Sequence, residues 1–362
     1  MKRRSNLIVC FIFVLLALLA APGGEVRALE LTPALKAVIE AAKTEGSLNL
    51  SYPQSVVGGT SGVRQIETQM NATFGTNIRI NFAPAQSLER QAQQLILEHS
   101  AGQKAHTDAY IARPSSLMQP VERGVFAEID WHALLPDRIR PQFVESQGRL
   151  LRLGVTFPVI VYNTQRAPMV PKTLEDMLRP EWKGKFAAQV VAAGFEILAA
   201  DGVWGREKTL GFVRRLSEQA GGLIRCGAEV ERVAAGEYAA LAMDCIAGNT
   251  ISWQERGAPV DYVIPGDAAE LHYYYLTIPK TASYPNAAKL FAVFMLTEPG
   301  QKLNWDTWKI DLDGLPGSKM ETQILKLKSQ GTMFTEVTMD WWLKHPEVPE
   351  VLPQLIKILA KN

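Results

Sequence analysis

The sequence predicts an α/β protein built from two domains. Three observations carry that prediction. Short apolar runs alternate with amphipathic helical stretches along most of the chain. Its 362 residues are 47% hydrophobic, which suffices for a large core and exceeds the usual length of one domain. The apolar run at 155–163 contains Pro158, which marks a turn or a change of sheet in the middle of the chain.

Each element follows from its local pattern. A helix is expected over 33–43 and a strand over 47–52. The glycine-rich loop at 58–62 opens a helix that carries Ile66, Met70 and Phe74 at helical spacing. Residues 77–82 alternate apolar and polar as a strand, 88–101 form a helix, and 107–112 form a short strand. Beyond the break at Pro158, a short helix is expected at 174–178. Helix 208–219, strand 222–225, helix 229–235 and strands 238–244 and 261–264 follow. After the apolar strand 273–278 come a helix at 285–297 and helical stretches around Trp341, Trp342 and 352–359.

The first 28 residues read as an export signal. Lys2, Arg3 and Arg4 precede an uncharged apolar stretch at 7–21, which is short of the ~20 residues a spanning helix needs. Val26, Arg27 and Ala28 form a small-residue cleavage pattern, so the mature chain begins at residue 29. Loss of four basic residues and Glu25 takes the net charge from +1 to about −2, which offers no basic surface for nucleic acid. Cys226 and Cys245 remain. An even pair in an exported chain points to a disulfide, with two buried thiols as the alternative. Such a bridge would close a loop of about 20 residues, worth ~3 kcal/mol in the chain-entropy model.

Several phrases together resemble one family. Residues 159–163, then Pro171, Lys172, Thr173, Leu174, Glu175 and Asp176, then Glu181, Trp182, Lys183, Gly184 and Lys185 resemble the second-lobe opening of bacterial periplasmic solute-binding proteins. Residues 233–237, 257–262 with Pro265, 286–291 and 298–301 continue the resemblance in the family's order. More narrowly, the chain is similar to the iron(III) and organic-solute branch of the family 1 extracellular binding proteins of ABC importers. The resemblance implies a type II periplasmic binding fold: two lobes, each a mixed sheet flanked by helices, joined by two hinge crossings. Lobe one would comprise 29–157 and 276–362, and lobe two 158–275, with crossings near 156–158 and 271–276. It implies a periplasmic monomer that captures a small-molecule ligand for ABC permease subunits, with no cofactor and no nucleic-acid partner. An organic solute is expected, preferably an anion. Ferric-iron binding and a ligand-presenting sensor are the alternatives within the same fold.

Ligands of open α/β sheets lie beyond the carboxyl ends of strands, where helix N-termini present free N–H groups. That rule selects Tyr52, Thr60, Ser61, Gln86, Ser87, Tyr110 and Arg113 in lobe one, and Gly194, Phe195, Glu196 and Asp244 in lobe two. Tyr273 and Tyr274 sit at the second crossing. Helix capping explains Thr60 and Ser61 equally well, and Glu196 suits a helix start without any ligand. In a strand, Tyr274 must face opposite to Tyr273 and Tyr275. Arg113 offers a planar fork for a carboxylate or phosphonate, or a surface ion pair. Iron-binding members hold the metal with adjacent tyrosines just beyond the strand that here ends at Asp244, where this chain has Cys245 and Ile246. No metal ligand is therefore assigned. Catalysis has no support either: the five histidines are scattered, and neither a nucleophile elbow nor a phosphate loop is present.

Overall fold

The computed structural model describes residues 31–192, 194–224 and 229–360. The export signal expected at 1–28 and Cys226 of the expected disulfide lie outside them. In chain order the first elements are α1 (Pro33–Glu45), β1 (Ser47–Tyr52), α2 (Gly59–Phe74), β2 (Arg79–Pro84), α3 (Leu88–Ser100) and β3 (Tyr110–Ala112). Next come α4 (Pro114–Glu122), α5 (Trp131–Leu134), β4 (Val144–Glu145) and β5 (Leu150–Thr156). The middle holds β6 (Val159–Asn163), β7 (Phe186–Gln189), α6 (Phe195–Leu198), α7 (Arg206–Gln219) and β8 (Gly222–Ile224). It continues through α8 (Glu229–Ala234), β9 (Ala240–Asp244), α9 (Ala247–Gln254) and β10 (Val260–Val263). The last part is β11 (Glu270–Thr277), α10 (Pro285–Met295), α11 (Glu298–Trp308), α12 (Lys319–Ser329), β12 (Thr335–Val337), α13 (Met339–Lys344) and α14 (Glu347–Leu359). None of the described helices is long and apolar enough to cross a membrane.

Most expected elements are present with shifted ends, and the shifts have local causes. The strand expected over 107–112 begins only at Tyr110 because the side chains before it bind backbone elsewhere. Thr107 Oγ1 accepts from Ser51 N and donates to Ala109 O, and Asp108 accepts from Asn49 N, Ser283 N and Tyr284 N. The helix expected at 174–178 is a single 3-10 turn, Glu175–Leu178. Helix α11 starts at Glu298, in the phrase 298–301. Thr297 caps it by accepting from Gly300 N, and Pro299 in the first turn gives up an N–H that has no helical partner. Helix α2 packs so tightly on the loop before it that a Cβ on Gly62 would lie 1.9 Å from Val57 O.

The strands form two five-membered groupings and a pair. β1 and β2 run parallel, and Leu50 bridges to Ala109 at the foot of β3. The first large sheet has the order β12-β11-β5-β4, with β3 also pairing β11. The second has the order β10-β6-β9-β7-β8, with β6 antiparallel to both neighbours and β7 parallel to β8 and β9. At Phe157 and Pro158 the chain leaves the first sheet at the end of β5 and enters the second at β6. It returns between Val263 and Glu270. That is upstream of the expected 271–276, because those residues lie inside β11, one continuous strand paired to β5.

The C-terminal helix also departs from the expected plan, which placed all of 276–362 with the first lobe. Val351, Leu355 and Leu359 of α14 are buried in one apolar cluster with Ile160, Phe186, Phe212 and Leu216 of the second sheet and its helix α7. Meanwhile β12 pairs with β11 in the first sheet. The chain therefore passes from the first sheet to the second a further time, between β12 and α14. Replacing Leu355 with Ala should destabilise the protein by about 2–5 kcal/mol through lost burial and a cavity. The urea unfolding midpoint checks this, and an unchanged midpoint would detach α14 from the second core.

Candidate functional site

Strand β11 carries two chemistries on its two faces, because neighbouring side chains of a strand point oppositely. Tyr273 and Tyr275 face a closed structural network. Tyr275 Oη donates to Glu145 Oε1 at 2.6 Å and accepts from Met339 N, while Tyr273 Oη donates to Asp313 Oδ2 at 3.3 Å. Arg152 lies over the Tyr273 ring at 4.2 Å and reaches Glu145 Oε1 through Nε and Nη2. Tyr273 is thus separated from Tyr274 and committed to the sheet. The other face presents Glu270, His272 and Tyr274 toward Arg113.

Arg113 precedes Pro114 at the start of α4, and its side chain does not cap that helix. Its Nη1 lies 3.3 Å from His272 Nδ1, and its guanidinium sits 5.9 Å from the centre of the Tyr274 ring. Tyr274 packs edge-on against Trp308 at 4.6 Å. His272 Nε2 is 2.6 Å from Glu270 Oε2. A guanidinium can only donate, so His272 accepts at Nδ1 and carries its proton on Nε2, which donates to Glu270. Burial, reinforced by the Arg113 charge, pushes the His272 pKa well below its usual value. Burial also pushes Glu270 well up, with Glu196 adding to the rise and Arg113 opposing it. For Arg113, burial pulls downward, but Tyr274, Cys245, Glu196 and Glu89 outweigh it and hold the guanidinium charged.

The second sheet delivers the facing residues. Glu196 in α6 folds back so that Oε2 accepts from Gly194 N at 3.0 Å. Gly194 has φ 109°, and a Cβ there would lie 3.0 Å from Glu270 Oε2 and 3.1 Å from Pro158 Cγ. Only glycine lets α6 come this close to β11. Arg113, Pro114, Ser115, Glu196, His272, Val337 and Trp342 line one pocket, closed to a volume of about 10 Å³, roughly that of one water.

At the end of β9, Met243 takes a left-handed φ of 67° where the pairing of β6 with β9 slips its register. Strain of this kind persists only when the surroundings fix it, and it commonly marks functional positions. Here it turns Asp244 inward. Asp244 Oδ1 accepts from Cys245 N at 2.7 Å and from Gln189 Nε2 at 3.2 Å, and Oδ2 accepts from Asn249 Nδ2 at 3.4 Å. Burial raises the Asp244 pKa well above its usual range, with Cys245 and Glu229 adding to the effect. Cys245 Sγ donates to Gln189 Oε1 at 3.2 Å.

The remaining expected site residues are placed elsewhere. Tyr52 and Tyr110 are buried whole, and their hydroxyls donate to Ala109 O and Leu88 O. Phe195 packs against Phe212 in the second core. Ser87 caps α3 by accepting from Arg90 N, and Gln86 holds the Arg90 guanidinium. Thr60 lies within the first turn of α2, where Gln54 accepts its N–H, and Ser61 is exposed on the same helix. The structure thus brings Arg113, Gly194, Glu196 and Tyr274 together and sets Asp244 beside Cys245. Glu270 and Trp342 were not among the expected site residues, and His272 was expected only as part of the second crossing. The polar positions two apart in an otherwise apolar strand signalled Glu270 and His272. Nothing local signals Trp342, which arrives from the far end of the chain.

The buried histidine gives a pH test with a definite sign. His272 is neutral when folded but protonates below about pH 6.5 once unfolded. Stability from this group is complete above pH 6.5 and is lost as the pH falls toward its lowered folded value. Relative to His272→Gln, the native protein should lose up to about 1.4 kcal/mol per pH unit below pH 6.5. Urea midpoints at pH 7.5 and 5.5 measure the slope, and parallel slopes for the two proteins would refute a neutral buried His272.

Comparison with known proteins places this geometry in a family. The model of the bacterial extracellular solute-binding protein family matches residues 68–310, more than half of the chain. A curated relative, the Fe(3+)-binding periplasmic protein of Serratia marcescens, is 32% identical over 110 residues, which is 30% of this chain and 31% of that one. The chain thus spans about a third of the length of the curated relative it matches. Among solved structures, the substrate-binding protein of an ABC transporter from Agrobacterium tumefaciens superposes with a TM-score of 0.68 at 15% identity, covering 88% of this chain and 96% of that one. The fructose-6-phosphate-bound periplasmic binding protein AfuA from Actinobacillus pleuropneumoniae gives 0.67 at 15% identity, over 88% and 99%. Iron-bound HitA from Pseudomonas aeruginosa gives 0.62 at 18% identity, over 75% and 90%. At such identities these three show a shared fold, the two-lobed type II periplasmic binding architecture. The chain belongs to the bacterial extracellular solute-binding protein family.

Proposed function

We propose that this protein is the periplasmic substrate-binding component of an ABC importer, and that it captures a small organic solute with an acidic group by closing two lobes over it. The supporting observation is Arg113, half-buried at a strand end of the first sheet and sharing one pocket with Glu196 on a helix of the second. A guanidinium there presents a planar fork to a carboxylate or phosphonate. Lobe one is built on β1–β5 with β11 and β12, and lobe two on β6–β10 with α14. The crossings at Phe157 and Pro158 and between β10 and β11 act as the hinge. Ligand contacts from both lobes stabilise the closed state, which the membrane permease subunits then read. The chain is exported by its first 28 residues, acts as a monomer and needs no cofactor. Cys245 carries a thiol bonded to Gln189 in this structure. In the oxidising periplasm we expect it to exchange that contact for a disulfide with Cys226, and finding two reactive thiols in the purified mature chain would end that pairing.

Ferric iron is the second reading, favoured by the 32% identity to an Fe(3+)-binding protein. Against it, Cys245 and Ile246 stand where the resemblance places paired tyrosines.

A thermal-shift screen of residues 29–362 separates these readings. Its panel holds carboxylates, phosphonates, amino acids, polyamines, thiamine and ferric citrate. A ligand at a thousand times its Kd stabilises the native state by about 4 kcal/mol. An organic hit that also lowers the radius of gyration in X-ray scattering supports solute capture by closure, and Arg113→Gln should weaken that hit at least about tenfold. A shift with ferric citrate alone would establish the iron reading. No shift with any member would overturn the proposal.

A further inference from the structure

We propose that the pocket between α4, α6 and α13 selects a small zwitterion, with its acidic head held by Arg113 and Trp342 and its ammonium held by Glu196. This deepens the solute-capture reading and rests on it. At the acidic end, one N–H of Arg113 is directed at His272, which leaves other donors of the fork for a ligand. Ser115 in the first turn of the nine-residue α4 lines the same pocket, and no side chain caps that helix. Trp342 supplies an independent observation. It is 4% exposed and lines the pocket, and its indole Nε1–H has no partner among the described residues. A buried indole N–H is ordinarily paired. An oxygen acceptor bound between Arg113 and α13 would pair it.

The opposite wall is acidic. Glu196 lines the pocket and uses one carboxylate oxygen on Gly194 N. Glu270 stands on the other side, on β11 beneath His272, where it is fully buried, gives Oε2 to the histidine and does not line the pocket. Among the described residues, Arg113 is the sole Lys or Arg lining the pocket. A simple anion would answer Arg113 and leave Glu196 without a countercharge, and a simple amine would do the reverse. A molecule carrying both charges a few bonds apart answers both walls. The walls stand on different sheets, since α6 follows β7 of the second while β11 and β12 belong to the first. The volume of about 10 Å³ therefore has to widen by separation of the sheets before such a ligand enters.

Titration calorimetry on residues 29–362 tests the proposal with glycine, β-alanine and 4-aminobutanoate, their aminoalkyl phosphonate counterparts, and the matched simple acids and amines. At the best chain length the zwitterion should bind at least about tenfold more tightly than either matched single-charge compound, and the phosphonates identify the preferred acidic head. Glu196→Gln should abolish that advantage while leaving the simple acid unchanged. Trp342→Phe keeps the ring but deletes the N–H, and it should weaken zwitterion and acid alike by several-fold. Circular dichroism melting of both variants confirms that they fold. Equal affinity for zwitterion and simple acid, an inert Glu196→Gln, or no binding of any zwitterion would overturn the inference. A single-charge solute that closes the lobes and binds more tightly than every zwitterion would overturn it while leaving solute capture standing. No binding across this set and the wider screen would remove both.

Discussion

The charge on Arg113 organises the centre of the molecule. A guanidinium drawn half out of water is best tolerated where acceptors and opposite charges surround it. Arg113 meets His272 directly and reaches Glu270 through it, with Glu196 and the Tyr274 ring nearby. That requirement fixes the histidine tautomer and holds α6 of the second sheet against β11 of the first. It also explains Gly194, since any side chain there would strike Glu270 or Pro158.

Strand β11 can hold this arrangement because its other face is locked. Glu145, Arg152, Tyr273, Tyr275 and Asp313 form a hydrogen-bonded, largely buried network behind it, and removing one partner of a buried pair costs more than the pair itself contributes. The strand therefore acts as a rigid rail, structural on one side and chemical on the other. The chain changes sheet at Phe157 and Pro158, between β10 and β11, and before α14. The last of these ties the C-terminus to the second core, so the proposed closure would involve three crossings rather than two.

The second sheet concentrates its own polar groups at the end of β9. The left-handed Met243 and the slipped register before it aim Asp244 at Gln189 and Asn249 instead of letting it cap α9. Asp244 is satisfied inside its own sheet, while Glu196 is left half-buried at the pocket. The two acids thus divide into a structural role and a facing role, although both stand near helix starts in the sequence.

Sequence alone determined what depends on neighbours along the chain. The alternation that made β1 and β2, the helical spacing of Ile66, Met70 and Phe74, and the sheet change at Pro158 are consequences of local backbone chemistry and binary pattern. Arg113 and Glu196 were legible for a related reason: both sit at strand-to-helix junctions, where ligands of α/β folds collect. Tertiary structure alone decided which polar residues meet. Tyr52 and Tyr110 satisfy the same junction rule yet end in the core, because their hydroxyls find backbone carbonyls there. Trp342 and α14 are placed by packing against surfaces more than a hundred residues away in the chain, and no local pattern encodes a contact of that range.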